Sequence, residues 1–467
     1  MREKQRTEEE LFDEQYRAVM WAVNPKNPLM AELQAIDKLL DESPELLEWV
    51  RADLDNSHKK PTGRPPEASA EQVLRSAILM QLRGLHYRQL AEEIDANMLY
   101  RKFTRFNGRK IPHFATLNNL IKMISDETVR RLNEALLKVG IKKKLEDGKS
   151  IRHDTSVAQT DIAYPMDARL LDDSVRVLCR HMQRLLEAAP ELVFVFHDHS
   201  RAAKKRAYQI VLSKGKDVEA KRRPLYEALL ELQRTTRRYA DAALAALETE
   251  WEAAMRLEVM GEALELENWL PLAERVYDQA HRRVILGQSV PADEKLVSIF
   301  EPHTAIICRG KQGGKTEFGH KFAVATGRSG LITYYEVLEG NPGDNEVLPR
   351  ALEHHRKMFG RAPERLTADR RYHSADNERT AALAGVKEVA LPKPGRLSEL
   401  RRKLQQAPWF RRLLRFRAGI EGNLSTLLRS FGLKRCLWHG WRSFKAYIGL
   451  GVLTYNLRLI AGHLAHA

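Results

Sequence analysis

Three acidic residues, far apart in the chain, stand where catalytic carboxylates are expected. Asp154 lies within one predicted strand, Asp369 ends another, and Glu421 lies on a predicted helix surrounded by cations. Carboxylates at strand ends facing a helix carboxylate supply the oxygen ligands that two hard divalent cations require, with open positions for phosphate and water. The pattern favours metal-assisted phosphoryl chemistry. A lone acid among bases is also the usual partner of a surface ion pair, and spacing this wide does not show that the three converge.

Positive charge is concentrated in two segments of the 467-residue chain, whose net charge is +15. Residues 1–58 carry 7 basic and 14 acidic side chains, 59–112 carry 11 and 5, and 393–445 carry 14 and 2. The last segment interleaves its cations with aromatic residues such as Trp409 and Phe416, so it must both pack and present a strong positive field. Such a surface attracts polyphosphate backbones, which indicates nucleic-acid binding.

The N-terminal third reads as short helices. An acidic helical region is followed by a linker over 59–66, where two adjacent prolines and a glycine cannot continue a helix. An amphipathic helix runs from Glu71 to near Gly84, and a second helix is predicted over Tyr87–Ile94. Short helices, a glycine turn and basic residues suit a helix-turn-helix-like DNA reader, although any small helical bundle would look similar.

The remainder of the chain predicts an α/β fold, with a mixed sheet flanked by helices. A strand over 148–157 precedes a long helical region, roughly 169–290. Phe318–Thr326 and Leu331–Leu338 then alternate around a glycine-rich turn and predict a hairpin. Further predicted elements are helices over Asn345–Phe359, Asn377–Ala384, Phe416–Phe431 and Phe444–Ala461, and strands over Arg365–Asp369 and Lys387–Leu391.

Several other functions are disfavoured by the same residues. The longest apolar run, 446–461, is interrupted by Arg458, whereas a membrane helix needs about 20 uncharged residues. The charged N-terminus has no apolar stretch behind it, so we expect no signal peptide and a cytoplasmic location. Three widely separated cysteines give no zinc spacing. Gly310–Thr316 resembles a phosphate-binding loop, but its glycines are one residue too close.

Four blocks of the sequence, in order, resemble bacterial DDE-type insertion-sequence transposases, and the resemblance covers most of residues 60–461. Two blocks carry the aspartates, a third carries the glutamate, and the fourth is similar to the N-terminal DNA-binding region of that family. The residues concerned are Arg152–Val157 with Asp161–Asp167, Ala368–Ser374, Arg417–Gly422, and Gly84–Ala91 with Ile111–Leu117.

The resemblance implies a ribonuclease-H-like catalytic core in which Asp154, Asp369 and Glu421 are the catalytic residues and hold two Mg²⁺ ions, for which Mn²⁺ can substitute. It further implies double-stranded DNA as the partner, comprising the terminal inverted repeats of the element and a target, bound by a homodimer. The expected domains are an acidic helical region (1–58), a DNA-binding domain (59–145), the catalytic core (146–168 and 291–461) and a helical insertion (169–290).

Ten arginines are expected to contact DNA in this interpretation. They are Arg64, Arg88, Arg101, Arg105, Arg371, Arg411, Arg412, Arg415, Arg417 and Arg429. Arg371 stands where the family usually has glycine, and Leu414 and Leu428 stand where related families often have tyrosine and lysine. These departures keep a second hypothesis open, a non-catalytic DNA-binding protein derived from a transposase. A nuclease that cleaves without joining is a third.

Overall fold

The computed structural model describes residues 27–57, 67–308 and 316–465. Arg64, the predicted linker and most of the loop-like Gly310–Thr316 segment lie outside these residues. The chain divides into two compact units: Met1–Gln159 with His320–Ala467, and Thr160–Gly319. The fold class is α/β, as predicted, with helices predominating. No helix in the described ranges is both long enough and apolar enough to cross a membrane.

The elements are numbered here in chain order. The helices are α1 (Pro28–Asp41), α2 (Glu45–Ser57), α3 (Ala70–Arg83), α4 (Tyr87–Ala96), α5 (Met98–Phe103), α6 (Phe114–Lys122), α7 (Asp126–Lys142), α8 (Asp167–Ala188), α9 (Ser200–Leu212), α10 (Val218–Thr249), α11 (Trp251–Ala254), α12 (Leu257–Ala280), α13 (Leu348–Phe359), α14 (Ala375–Leu383), α15 (Glu399–Gln406), α16 (Pro408–Ala418), α17 (Ile420–Ser430) and α18 (Trp441–Ala465). The strands are β1 (Ser150–Thr160), β2 (Ala305–Cys308), β3 (Thr316–Thr326), β4 (Ile332–Val337), β5 (Arg365–Ala368), β6 (Glu388–Ala390) and β7 (Arg435–Cys436).

Helices α1–α7 form the N-terminal part of the first unit and share one core with α17 and α18. Helix α3 begins with a capping box between Ser69 and Gln72 and ends at Gly84, whose positive φ of 62° is one that glycine adopts without strain. Its Arg75 is only 2% exposed and pairs with Asp37 and Asp41, both in α1. Burial of the guanidinium is therefore compensated by carboxylates.

The sheet of the first unit places two distant strands side by side. Its order is β3-β1-β5-β6, with β4 beside β3 and β7 beside β1. The β3–β4 hairpin is antiparallel, as predicted, whereas β1 pairs with β5 in parallel, with Ser150 opposite Arg365 and His153 opposite Ala368. Sequence spacing does not indicate this pairing, because more than two hundred residues separate the two strands.

The second unit is built mainly from α8–α12. The apolar face of α8 is buried through residues such as Leu171, Leu178 and Met182, and it packs against α9, α10 and α12. Asp167, at the start of α8, is buried and accepts hydrogen bonds from Gln279 and Arg283. The unit also contains β2, which pairs with the first residues of β3, so it extends beyond the predicted insertion at both ends.

A buried arginine lies at the break between α16 and α17, and this break falls within the helix predicted over Phe416–Phe431. Arg152 of β1 donates to the Phe416 carbonyl (Nη1 to O, 2.8 Å), to Asn423 Oδ1 at 3.0 Å and to Thr326 Oγ1 at 2.8 Å. The Phe416 carbonyl accepts from Arg152 and from the Gly419 amide at 3.2 Å in place of the Ile420 amide, which is the usual helical donor, and the helix breaks at Gly419. A Cβ atom at Gly419 would overlap the Arg152 guanidinium, which explains why glycine is required there.

Alanine scanning of two glycines tests this arrangement. Gly419→Ala should destabilise the protein, because its methyl group would displace a guanidinium held by three hydrogen bonds. Gly422→Ala is the matched control: a Cβ there would meet nothing within 4 Å, and alanine in a helix is favoured over glycine by about 1 kcal/mol.

In urea unfolding, the midpoint concentration should therefore be lower for Gly419→Ala than for the parent protein and higher for Gly422→Ala. Amide hydrogen exchange should be at least about tenfold faster over α17 in Gly419→Ala, because the opening free energy falls by about 1.4 kcal/mol or more. Equal behaviour of the two variants would contradict the proposed role of Arg152 at the break.

Candidate active site

The register of the sheet places the two aspartates next to each other. His153 and Ala368 are the last paired residues of β1 and β5, so Asp154 and Asp369 are the residues that follow on two adjacent parallel strands. Neighbouring strands lie about 4.8 Å apart. Asp369 begins a single turn of 3₁₀ helix and accepts a hydrogen bond from the Arg370 amide. The sheet therefore positions the two aspartates side by side, at the point where β5 ends.

Asp154 titrates abnormally because of its surroundings. Its pKa is raised to about 6, chiefly by burial, and the negative charges of Asp369 and Asp344 add to the effect. A hydrogen bond from the Thr155 amide and the charge of Arg417 act in the opposite direction. The arrangement thus stabilises the protonated form of Asp154 relative to that of an exposed aspartate, and a cation placed among these carboxylates would favour the ionised form.

Glu421 reaches the same place through an arginine. It is the second residue of α17, and its side chain is 69% exposed. Arg417 contacts Asp154 (Nη1 to Oδ2, 3.4 Å) and Glu421 (Nη2 to Oε1, 3.5 Å). The guanidinium of Arg417, which lies one helical turn before Glu421, thus contacts both Asp154 of β1 and Glu421 of α17.

The donor set suits a hard divalent cation, since it consists of carboxylate oxygens, and the charge of Asp369 acts on Asp154 directly. Among the described residues, however, no group of three or more His, Cys, Asp or Glu side chains is already arranged to hold an ion. Arg417 occupies the position between Asp154 and Glu421. For all three acids to act together, the guanidinium would have to move away from at least one of them.

The residue next to Asp154 contributes no charge to the site. His153 is fully buried, and burial, together with the neighbouring His355, lowers its pKa to about 3. The ring therefore stays neutral at physiological pH. It packs against Tyr372, with ring centroids 6.2 Å apart, beneath the turn that follows Asp369. This packing joins the strand that carries Asp154 to the turn that follows Asp369.

The arginines predicted in the C-terminal basic segment are mostly available to a ligand. Arg411, Arg412, Arg415 and Arg429 are all exposed on α16 and α17. Within the described part of the chain, only Arg412 of these four contacts a carboxylate, that of Glu388 at 3.6 Å. Arg371 is exposed as well, and no described carboxylate lies within ion-pair distance of it. A phosphate backbone could pair with these cations without breaking an existing ion pair.

The N-terminal arginines differ from one another. Arg88 is exposed and lies over the ring of Phe114 at 4.9 Å. Arg101 pairs with Asp95 and donates to the carbonyls of Asn107 and Arg109 (2.9 and 3.0 Å), so it holds the loop after α5 in place.

Arg105 is 7% exposed, and three carboxylates, those of Asp37, Asp41 and Glu71, surround its guanidinium. Burial alone would lower the pKa of Arg105, but these charges more than reverse the effect and raise it. A side chain neutralised in this way is not presented to a phosphate. The DNA surface proposed below therefore does not include Arg105.

Two residues near the acids had no role in the sequence interpretation. Arg152 belongs to the sequence block that carries Asp154, but nothing in its spacing shows that it reaches α17. Asp344 lies in the turn after the hairpin, and its carboxylate accepts a hydrogen bond from Thr155 at 2.8 Å. An acid between a Pro-Gly pair and a helix is ordinarily interpreted as a turn residue, so only the folded chain shows its proximity to Asp154.

Comparison with protein families gave two matches, whereas comparisons with curated proteins and with solved structures gave none. Residues 288–457 match the model of the transposase DDE domain, a segment that includes Asp369 and Glu421 and begins after Asp154. Residues 23–123 match the transposase domain DUF772, which covers the N-terminal helices. The DDE domain implies a ribonuclease-H-like core. The chain thus matches the models of two transposase domains, which confirms its resemblance to DDE-type insertion-sequence transposases.

Proposed function

We propose that this transposase cleaves DNA at the ends of an insertion sequence and joins them to a target by a two-metal mechanism. The observation that carries the proposal is the placement of Asp154 and Asp369 on adjacent strand positions, with Glu421 tied to Asp154 through Arg417. Asp154, Asp369 and Glu421 would hold two Mg²⁺ ions, or Mn²⁺ in their place. When bound, these ions would activate the attacking water or 3′-hydroxyl and stabilise the leaving oxygen.

The protein side chains have separate tasks in this proposal. Asp154 and Asp369 are held by the sheet, so their carboxylates stay in place when DNA enters. Arg417 compensates the charge of two acids in the free protein, and it would turn to a DNA phosphate when the acids are otherwise engaged. Arg152 keeps α17 against β1, which sets the distance of Glu421 from the aspartates.

Strand cleavage and joining require in-line attack on a phosphodiester. In cleavage, an oxygen of water forms the new bond to phosphorus and the bond to the 3′-oxygen breaks, leaving a 3′-hydroxyl. In joining, that hydroxyl attacks a target phosphodiester and releases a target 3′-oxygen. Exposed arginines beside the acids would align the two backbones, which places Arg371, Arg411, Arg412, Arg415 and Arg429 along the DNA.

The N-terminal domain would supply sequence preference. Arg88 is exposed beside α6, and Arg101 orders the adjoining loop; Arg64 lies outside the described residues. We infer that double-stranded DNA, comprising terminal inverted repeats and target, is bound by a homodimer in the bacterial cytoplasm, at the nucleoid. Two copies are the simplest way to hold the two ends of one element together.

Removal of each acid should abolish cleavage and spare binding. Asp154→Asn, Asp369→Asn and Glu421→Gln are each expected to lower Mn²⁺-dependent cleavage by at least about a thousandfold, about 4 kcal/mol of barrier. The substrate is linear DNA that contains the coding gene with its flanking sequences. DNA affinity, measured by mobility shift, should stay within about threefold because arginines provide it.

Two exposed acids serve as matched controls for the cleavage assay. Asp376→Asn and Glu399→Gln remove carboxylates that are 87% and 78% exposed on α14 and α15, and cleavage should be unchanged. If the three proposed ligands lost DNA binding in step with cleavage, their role would be structural. A wild-type chain that binds this DNA and never cleaves it would instead indicate a DNA-binding protein.

Neutralising the C-terminal cations should reduce the salt dependence of binding. Changing Arg411, Arg412, Arg415 and Arg429 together to glutamine should weaken binding to DNA of any sequence. The slope of log affinity against log salt should flatten by about 0.9 for each phosphate contact removed. Titrations between low and physiological salt would measure it.

A charge-matched variant isolates the effect of position from that of net charge. Arg184, Arg223, Arg234 and Arg256 are also about half exposed, but each already pairs with a glutamate in the second unit. Changing these four to glutamine should leave the salt slope nearly unaltered. Equal slopes for the two quadruple variants would show that the basic segment of α16 and α17 is a solvated face.

A further inference from the structure

A fourth carboxylate lies beside the three acids, and its two oxygens are already occupied. The side chain of Asp344 is 3% exposed. Its Oδ1 accepts from Lys321 of β3 at 3.1 Å, and its Oδ2 accepts from the Thr155 hydroxyl at 2.8 Å. Lys321 also donates to the Pro342 carbonyl at 2.9 Å. Asp344 thus joins the loop before α13 to two neighbouring strands of the sheet.

Thr155 connects this loop to the first catalytic aspartate. Its backbone amide donates to Asp154 Oδ1 at 2.8 Å, while its hydroxyl donates to Asp344. One residue therefore orients the Asp154 carboxylate with one group and is itself held by the other. A shift of the Thr155 side chain would move the amide that Asp154 accepts from.

The same loop also holds the turn that carries the second aspartate. The side-chain amide of Asn377 donates to the carbonyls of Asn345 and Tyr372, both at 2.8 Å. Tyr372 ends the 3₁₀ turn that begins after Asp369. Residue 344 is therefore linked to Asp154 through Thr155, and residue 345 is linked to Asp369 through Asn377 and Tyr372.

We propose that Asp344 is a positioning residue that fixes the two catalytic aspartates relative to each other through Thr155 and Asn377. The proposal rests on the function proposed above. Asp344 is not a metal ligand here, because Lys321 and Thr155 use both of its oxygens and because it is buried. A buried ion pair anchors the loop, so its orientation does not depend on bound DNA.

The test compares Thr155→Val, Thr155→Ser and Asp344→Ala in the full chain, with the gene-plus-flank DNA and Mn²⁺ as probes. Thr155→Val removes only the hydroxyl and is expected to fold. Thr155→Val and Asp344→Ala should each raise the Mn²⁺ concentration for half-maximal cleavage by at least about tenfold, whereas Thr155→Ser should restore it. The double variant Thr155→Val with Asp344→Ala should need no more Mn²⁺ than Asp344→Ala alone, since both changes break the same hydrogen bond.

Glu146→Gln is the matched structural control. Glu146 is also a buried carboxylate that accepts from a hydroxyl, that of Ser329 at 2.6 Å, and no hydrogen bond between described residues joins it to Thr155, Asp344 or the three acids. Its loss should lower thermal stability and leave the Mn²⁺ requirement unchanged. A Thr155→Val enzyme with the Mn²⁺ requirement of the parent would overturn the role of Asp344, and so would an equal rise in Glu146→Gln.

The two proposals fail in different ways. If the proposed function is wrong, the parent chain shows no Mn²⁺-dependent cleavage, or Asp154→Asn cleaves as the parent does. If only the positioning role is wrong, the parent cleaves, Asp154→Asn does not, and Thr155→Val retains the parent's Mn²⁺ dependence.

Discussion

The buried guanidinium of Arg152 is the constraint on which the arrangement of the acids depends. It lies two residues before Asp154. Its donors reach Thr326 of β3, the Phe416 carbonyl near the end of α16 and the Asn423 side chain of α17. Burial lowers the pKa of Arg152, so a charged side chain in this position is costly unless its donors are satisfied. The ring of Phe416 covers it at 4.7 Å. Because the same side chain breaks the helix and ties it to β1, the location of Glu421 follows from it.

Charge balance explains the rest of the neighbourhood. Two aspartates on adjacent strands repel each other, and Asp344 adds a third negative charge close by. Lys321 and Arg417 offset part of that charge, and their side chains are 15% and 20% exposed. Lys321 lies within 3.1 Å of two acceptors and is suited to holding the loop, whereas Arg417 lies 3.4 and 3.5 Å from its two acids and is suited to exchanging partners. Outside this centre, exposed arginines of α16 and α17 extend the positive field over the surface.

The sequence predicted the α/β class and the hairpin correctly, because these follow from local periodicity and turn residues. It did not predict the pairing of β1 with β5, which depends on packing between distant segments. It also did not predict the break at Gly419, because that glycine has an ordinary helical φ of −65° and is required only for the space that the Arg152 guanidinium occupies. Arg105 shows the same limit, because the sequence gives the charge of a side chain but not whether that side chain is buried. The roles of Asp154, Asp369 and Glu421 stay predictions, now with a geometry that supports them.

Anomalous diffraction from crystals of the protein grown with Mn²⁺ and DNA ends tests the account most directly. It predicts two Mn²⁺ peaks, each within about 2.5 Å of carboxylate oxygens from Asp154, Asp369 or Glu421, with Arg417 turned to a phosphate and Arg152 unmoved. Peaks located elsewhere, or an α17 detached from Arg152 when the DNA is bound, would contradict it.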